Sequence, residues 1–246
     1  MELPNLERLD LEGCIKLVQL DPSIALLTKL VYLNLKDCKN IISTLNNIFG
    51  LSYLDDLNMS YNSRHLKISA SHSQSTTSSL LKRTILPYHS SFPTPTTHTN
   101  LFPFWNSLRE LDISFCGLCQ IPDAVGRLHW LEGLDLGGNN FVTLPSLREL
   151  SKLVYLNLQH CQLLESLPKL PSPTAIEYDL LRMINLGKKD FLKARGLVTF
   201  NCPKLGESCS SMTFSWMIQF IQANPHSSQD SFDRIHIVTP GSEIPS

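Results

Sequence analysis

The chain has 246 residues, of which 42% are apolar and 17% charged, so it can form one large or two small globular domains rather than a disordered chain. Its formal net charge of −1 favours neither nucleic acid nor an anionic membrane as a partner. No run of about 18 apolar residues occurs and charges interrupt the leucine-rich start, so the sequence predicts neither a membrane span nor a signal peptide.

Residues 1–66 repeat the spacing Leu-x-x-Leu-x-x-Leu-x-Leu-x-x-Cys/Asn three times, at 3–14, 27–38 and 51–62. Leu-x-Leu alternation predicts a short strand whose leucines face inward. A single strand cannot bury that face, so successive copies are expected to stack into a parallel sheet. The spacing and the period are typical of leucine-rich repeats.

Residues 67–103 interrupt the repeats with eight serines, seven threonines and four prolines. This composition cannot build a core and predicts a loop inserted into the array. The loop could be a basic or phosphorylated contact segment. A tolerated insertion is the favoured interpretation, because surface loops accept extra residues at low entropic cost.

Residues 104–170 contain three further repeats, and a second track of Ile121-Pro122, Leu144-Pro145 and Leu167-Pro168 runs beside them. The sequence therefore predicts an α/β fold: a leucine-rich-repeat solenoid, or horseshoe, with a parallel β-sheet on its concave face. The predicted strands are residues 8–11, 32–35, 56–59, 110–113, 133–136 and 155–158, with residues 67–103 looped out between the third and fourth.

Residues 171–246 lose the period, and Pro171 and Pro173 are expected to end the array. A helix is predicted over residues 179–193 and another over 211–223, followed by a strand over 235–238. The second helix is expected to place Phe214, Met217, Ile218 and Ile221 on one side.

Four of the seven cysteines, Cys14, Cys38, Cys116 and Cys161, occupy the same repeat position. Stacked coils would hold them as separate buried thiols, which favours a reducing compartment over an oxidising one. The pair formed by Cys116 and Cys119 has the spacing of half a zinc site, but a second pair at matching distance is missing. Neither a catalytic constellation nor a phosphate-binding loop is present, so no enzymatic activity, metal or cofactor is predicted.

Several stretches resemble plant intracellular immune receptors of the TIR–NB-ARC–LRR class. Leu150-Ser-Lys-Leu-Val-Tyr-Leu-Asn-Leu-Gln-His-Cys161 looks like a coil of that family, as do residues 27–38, and residues 163–171 look like its last repeat. Phe200-Asn-Cys-Pro-Lys-Leu205 resembles the segment that follows. Ile237-Val-Thr-Pro-Gly-Ser-Glu-Ile-Pro-Ser246 is similar to the opening of its post-LRR domain, a β-sandwich of jelly-roll or immunoglobulin-like form.

The resemblance implies a fragment, a truncated gene or a partial gene model, in which the TIR and nucleotide-binding domains are absent and the post-LRR domain is cut off. It implies the ligand-sensing portion of a cytoplasmic, or also nuclear, receptor that acts in plant defence. Its partner would be a pathogen effector or a guarded host protein, with intramolecular contact to the missing nucleotide-binding domain. The alternatives are an extracellular LRR receptor-like ectodomain, which would show paired cysteine caps and a signal peptide, and a generic protein–protein interaction scaffold.

The x positions around the strand leucines should line the concave face, because side chains alternate along a strand. Tyr and Arg are common interface hot spots, so Tyr32, Arg109, Phe115 and Tyr155 are the preferred anchors. The column of Asp10, Asn34, Asp112, Asp135 and Asn157 is interpreted as turn chemistry instead. The candidate protein-binding residues are Tyr32, Lys36, Asp56, Arg109, Glu110, Phe115, Glu132, Tyr155, Gln159 and His160.

Overall fold

The computed structural model describes residues 5–41, 48, 51–62, 105, 107–172, 194–223 and 234–235. The predicted loop at 67–103, the predicted helix at 179–193 and most of the predicted strand at 235–238 lie outside the described residues.

The six predicted strands are confirmed, and each ends one residue earlier than expected. They are β1 (Arg8–Asp10), β2 (Tyr32–Asn34), β3 (Asp56–Asn58), β4 (Glu110–Asp112), β5 (Gly133–Asp135) and β6 (Tyr155–Asn157). Neighbouring strands pair in parallel, and their central leucines stay in register across the sheet. We number the coils one to seven after the strands they contain, the seventh strand being described below.

β3 and β4 pair directly although more than fifty residues separate them in sequence. Leu57 lies opposite Leu111, and the Met59 amide donates to the Asp112 carbonyl oxygen at 2.8 Å. Coils three and four therefore stack as closely in register as coils that are contiguous in sequence.

The core runs along the inner face of the sheet. The strand leucines at 33, 57, 134 and 156 are buried, and so are Leu30, Leu54, Leu131 and Leu153, the leucines that open each strand segment. Short 3-10 helices at Pro22–Leu26 and Asp123–Arg127 close the opposite side and contribute Ile24 and Val125. Each buried leucine or isoleucine contributes about 1.5–3 kcal/mol of transfer free energy, so the core is the main source of stability.

The Cys/Asn position of each repeat joins one coil to the one before it. Cys38 Sγ donates to the Leu11 carbonyl oxygen at 3.1 Å, and Cys116 Sγ donates to that of Met59 at 3.0 Å. Asn139 Nδ2 donates to the Ile113 carbonyl oxygen at 3.0 Å. The predicted burial of the thiols is confirmed for Cys38, Cys116 and Cys161.

Cys14 is exposed, so the prediction that it is a buried thiol is wrong. It belongs to coil one, and no described coil lies before coil one to cover the thiol. The leucines of this coil are likewise only partly buried, as Leu6, Leu9 and Leu11 show.

The sheet extends two strands beyond the end predicted for the array. β7 (Ala194–Val198) pairs in parallel with β6, and Leu197 lies opposite Leu156 in the core. Cys202 Sγ donates to the Leu158 carbonyl oxygen at 3.0 Å, which repeats the link made by the earlier cysteines. Residues 194–202 therefore form a seventh coil. A short strand, β8 (Arg234–Ile235), pairs in parallel with β7.

The helix predicted at 211–223 is confirmed as α1 (Glu207–Ala223) and begins four residues earlier. The apolar side predicted for it is correct for Met217 and wrong for the other three residues. Trp216, Met217 and Phe220 are buried, whereas Phe214, Ile218 and Ile221 are exposed. The Trp216 indole donates to the Pro171 carbonyl oxygen at 2.8 Å, which fixes the buried side of α1.

Candidate functional site: the strand face and its borders

The strand face is the side of the sheet that points away from the core, and the sequence predicts that it is the concave face. Two columns of side chains cross it, because each central leucine points inward and the residues on either side point outward. The first column is Arg8, Tyr32, Asp56, Glu110, Gly133, Tyr155 and Gly196, and the second is Asp10, Asn34, Asn58, Asp112, Asp135, Asn157 and Val198.

The second column is occupied with turn formation, as predicted. Asn34 Oδ1 accepts from the Lys36 amide at 3.0 Å, and Asn157 Oδ1 accepts from the Gln159 amide at 2.9 Å. Asn58, Asp112 and Asp135 each make the same bond to the amide two residues later. Asx side chains are suited to this role because they replace a backbone turn bond. These side chains therefore stabilise the turn of each coil, and their role is structural.

Two carboxylates adjoin each other in the second column. Asp112 lies opposite Asp135 in the strand register, and burial together with the Asp112 charge raises the pKa of Asp135 to about 6. Burial also raises the pKa of Asp112. Asn157 Nδ2 donates to Asp135 Oδ2 at 2.9 Å, which partly offsets the repulsion between the two acids.

Tyr155 is half-buried in the first column and is flanked there by two glycines, Gly133 and Gly196. The Glu110 carboxylate lies over Gly133, where a Cβ atom would collide with it. Burial, followed by the negative charge of Asp135, raises the pKa of the Tyr155 hydroxyl. The phenol is therefore neutral and keeps its donor hydrogen on an acidic surface.

Tyr32 holds the equivalent position in coil two and is also half-buried. The Arg8 guanidinium lies 3.9 Å from the centre of its ring. Such a cation–π contact fixes the ring and restricts the arginine. Lys36, on the same coil, forms an ion pair with Glu12 at 2.8 Å.

Arg109 is held by contacts within the chain at the amino-terminal border of the strand face. Its guanidinium lies 2.7 Å from a Glu132 oxygen and 3.6 Å from an Asp55 oxygen. It also lies 5.8 Å from the centre of the Trp130 ring, and Trp130 is 51% exposed. The candidate residues Arg109 and Glu132 are therefore adjacent and form an ion pair with each other.

Two of the ten candidate residues offer little surface. Asp56 and Glu110 are both only 6% exposed. Their neighbours in adjacent coils cover them, an effect that alternation within a single strand does not reveal.

Phe115, His160 and Gln159 lie past the strands, at the carboxyl-terminal border of the strand face. Phe115 and His160 have left-handed backbones, with φ of 52° and 60°. The Phe115 ring stacks on Tyr61 with centroids 4.7 Å apart and lies 6.2 Å from the His160 ring, which in turn lies 5.7 Å from that of Phe200. We call Tyr61, Phe115, His160 and Phe200 the aromatic ridge.

Tyr61 and Phe200 are not among the residues predicted to bind a partner. The signal for Tyr61 was available, because Tyr61, Phe115 and His160 each directly precede the Cys/Asn position of a repeat. Phe200 was missed because its coil was not recognised.

Within the described residues, no group of His, Cys, Asp and Glu side chains is arranged to hold a metal ion. The same part of the chain contains no helix with the length and hydropathy to cross a membrane.

Comparison with known proteins identifies the repeats. The leucine-rich repeat family pattern matches residues 106–163. The chain is 29% identical to Disease resistance-like protein DSC1 of Arabidopsis thaliana over 189 residues, which cover 68% of this chain and 15% of that protein. It is 44% identical to TMV resistance protein N of Nicotiana glutinosa over 69 residues, covering 27% of this chain and 6% of that protein.

A third relative, Disease resistance protein RPP2A of Arabidopsis thaliana, is 28% identical over 171 residues, covering 69% of this chain and 9% of that protein. The chain thus spans no more than 15% of the length of these relatives. A solved leucine-rich-repeat protein of Leptospira interrogans covers 96% of this chain with a TM-score of 0.50, and the chain covers 50% of it at 18% identity. This likeness supports the solenoid fold alone.

Proposed function

We propose that this leucine-rich-repeat array is the protein-recognition part of a plant immune receptor, and that its strand face binds a pathogen effector or a guarded host protein. The array is similar to plant disease resistance proteins, which supports the class of receptor. An LRR sheet supplies a broad, rigid surface of side chains, the form of surface that protein partners use.

The observation that carries the proposal is Tyr155. It is a half-buried aromatic side chain with a neutral phenol, and glycines flank it at the same position in both neighbouring strands. Those glycines add no side chains of their own beside the ring, and the Glu110 carboxylate lies over Gly133. Large aromatic residues of this kind dominate the energetics of protein interfaces.

Arg109 is a weaker anchor than the sequence suggested, because Asp55 and Glu132 already bind its guanidinium. A partner would have to compete with those two carboxylates. Replacing Arg109 would also leave both acids without their ion pair, so a loss of binding in that variant would not separate recognition from local distortion.

The proposed compartment is the cytoplasm. Four of the thiols donate hydrogen bonds to carbonyl oxygens of the preceding coil, namely those of Cys38, Cys116, Cys161 and Cys202. This use of reduced cysteine as a structural donor suits a reducing compartment. An extracellular ectodomain, the alternative, would have to keep the same thiols reduced.

The test is a two-hybrid screen of the 246-residue chain against libraries of secreted plant-pathogen proteins and host proteins. Each binding partner is then tested against Tyr155→Ala and against Tyr53→Ala, a control that removes a tyrosine that is 63% exposed and lies off the strand face. We expect Tyr155→Ala to weaken binding roughly a hundredfold, as hot-spot truncations do. Partners that bind Tyr155→Ala as well as the parent chain, or a chain that binds none of the library proteins, would contradict the proposal.

A further inference from the structure

The aromatic ridge is a continuous row of rings on the molecular surface. Tyr61 and Phe200, at its two ends, are 45% and 51% exposed, and Phe115 and His160 are partly exposed between them. Phe115 spans coil five by leaning over Gly138, where a Cβ atom would collide with its ring. His160 is fixed by Asn201, whose Nδ2 lies 2.8 Å from Nδ1 of the imidazole. The rings therefore hold one another in place across coils three to seven.

The backbone conformation at Tyr61 and Phe115 is unfavourable for these two residue types. The residue before the Cys/Asn position has a left-handed φ in every coil, and it is Gly13, Asp37, Tyr61, Phe115, Gly138, His160 or Asn201. Glycine, asparagine and aspartate adopt this region readily, whereas large aromatic residues do so at a cost. Two coils nevertheless place Tyr61 and Phe115 there, whereas the other five make the same turn with glycine, aspartate, asparagine or histidine. Strain of this kind points to a function.

A depression of about 360 Å³ opens beside the ridge. Tyr61, Phe115 and the backbone of Gly117 and Gly138 line it, together with Asp37 and Lys39. Asp37 and Lys39 form an ion pair at 3.3 Å, so the charged part of the lining is neutralised internally. An aromatic side chain would find apolar walls here, and Gly117 adds no side chain of its own to the lining.

The adjoining strand face is acidic. Residues 55–58, 109–112 and 132–135, which are aligned in coils three, four and five, contain six carboxylates and one guanidinium. Asp56 and Glu110 are buried and Arg109 pairs with two of the others, but the net charge of these residues is negative. Asp135 lies three residues before Gly138, so this negative charge borders the depression. Charge complementarity therefore favours a partner with a basic residue next to its apolar one.

We infer that the depression beside the aromatic ridge receives an aromatic side chain of a protein partner, and that an arginine or lysine next to it in the partner faces the carboxylates of the strand face. The inference rests on the proposed function, since it takes the array to bind a protein. It assigns the recognised element as an extended segment that contains an aromatic residue beside a basic one.

The test measures binding of synthetic peptides to the 246-residue chain by fluorescence anisotropy. The probe is a short fluorescein-labelled Gly/Ser peptide with a central Trp-Arg pair, which can bind as an extended segment. Two matched peptides carry Trp→Ala or Arg→Glu. The inference expects the Trp-Arg peptide to bind at least roughly tenfold more tightly than either matched peptide.

Two protein variants then locate the site. Phe115→Gly and Tyr61→Gly remove a ring at a backbone position that glycine already occupies in coils one and five, so the fold is retained. Each should weaken binding of the Trp-Arg peptide roughly tenfold or more, while Tyr53→Ala should not change it. Should Phe115→Gly fail to fold, Phe115→Asn replaces it, because asparagine also tolerates a left-handed backbone.

Equal binding of the three peptides, or full binding by both ridge variants, would overturn the inference. The outcome is separable from that of the proposed function, because Tyr155→Ala removes no part of the depression. Suppose that the ridge variants still bind every protein partner that Tyr155→Ala fails to bind. The strand face would then be the recognition surface, and the inference about the ridge would be rejected.

Discussion

At the scale of single residues, the pairing of Asp112 with Asp135 gives the fold a dependence on pH. Burial and the Asp112 charge raise the pKa of Asp135 from 3.8 to about 6. The folded state then binds this proton more tightly than the unfolded chain does. Protonation of Asp135 therefore stabilises the folded state fully below about pH 4. This stabilisation decreases as the pH rises from about 4 to about 6 and is lost above about pH 6. At neutral pH the ionised pair costs at most about 3 kcal/mol.

Asp112→Asn should relieve this cost without disturbing the turn. Asp112 Oδ1 accepts from the amide and the hydroxyl of Ser114, and Asn58 Oδ1 accepts from the same two groups of Ser60. An amide thus already performs this role one coil earlier. We expect the free energy of unfolding at pH 8 to rise by about 1–2 kcal/mol relative to the parent chain. The gain in stability that the parent chain shows when the pH falls from 7 to 5 should be smaller in the variant.

Urea denaturation at pH 5, 7 and 8 measures both quantities. Asp123→Asn is the matched control, because it removes one charge from an exposed position away from the pair. A variant at position 112 that loses stability at pH 8, or that keeps the pH dependence of the parent, would show that the repulsion is unimportant.

At the scale of the repeat, the coils are joined by two chemically different links. Asn139 makes four strong bonds: its Nδ2 donates to the carbonyl oxygens of Ile113 and Leu136, and its Oδ1 accepts from the amides of Cys116 and Leu118. Cys161 makes one bond to the preceding coil, from Sγ to the Leu136 carbonyl oxygen at 3.5 Å. The amide link should therefore be the stronger.

Asn139→Ala should lower the free energy of unfolding by about 3 kcal/mol or more, since it leaves several buried backbone groups without partners. Cys161→Ala should lower it by about 1–2 kcal/mol, since it removes one weak donor and a small apolar volume. Chemical denaturation of the two variants under one condition gives the comparison. Equal losses would mean that packing volume, rather than the hydrogen bonds, decides the cost.

The repeats were predictable from the sequence because the leucine spacing alone determines which side of a strand enters the core. The seventh coil was not predicted because Ala194 and Thr199 stand where the earlier coils have pattern leucines such as Leu153 and Leu158, although Leu197 and Cys202 keep their places. The orientation of α1 escaped for a different reason. Apolar residues of α1 are distributed around its whole circumference, so their periodicity cannot indicate which side packs. The hydrogen bond from Trp216 to Pro171 decides the orientation.

The strand face was predictable in part. The Asp and Asn column follows from local turn chemistry, which a single coil contains. The ion pairs of Arg109, the burial of Glu110 and the stacking of Tyr61 on Phe115 all arise between coils. Such contacts depend on the lateral register and on side-chain rotamers, and a single repeat specifies neither.

At the scale of the whole molecule, the cysteines divide into two classes that report on folding. Cys14 and Cys119 are exposed, whereas Cys38, Cys116, Cys161, Cys202 and Cys209 are buried. Burial raises the pKa of the Cys116 and Cys161 thiols to about 12, so little reactive thiolate forms at pH 8.

Labelling of the native chain with a thiol reagent at pH 8 should therefore modify Cys14 and Cys119 within minutes and the other five only as the protein unfolds. Mass spectrometry after timed quenching identifies the labelled sites, and a urea-unfolded sample serves as the control in which all seven react. Rapid modification of Cys116 or Cys161 in the native chain would show that the coils are not closed around them.

The uneven packing of the coils also implies an order in which the array opens. Leu9 in β1 is only partly buried, while its counterparts Leu33, Leu57 and Leu134 are fully enclosed. In a linear array each unit is stabilised chiefly by its neighbours, so local openings concentrate where that support is least. Backbone amides that join coils one and two, such as that of Leu11 bonded to the Asn34 carbonyl oxygen, should exchange with deuterium first. The amide of Leu136, which is bonded to the Asn157 carbonyl oxygen between β5 and β6, should be among the last to exchange. The 246-residue chain would then open locally at coil one before the inner coils.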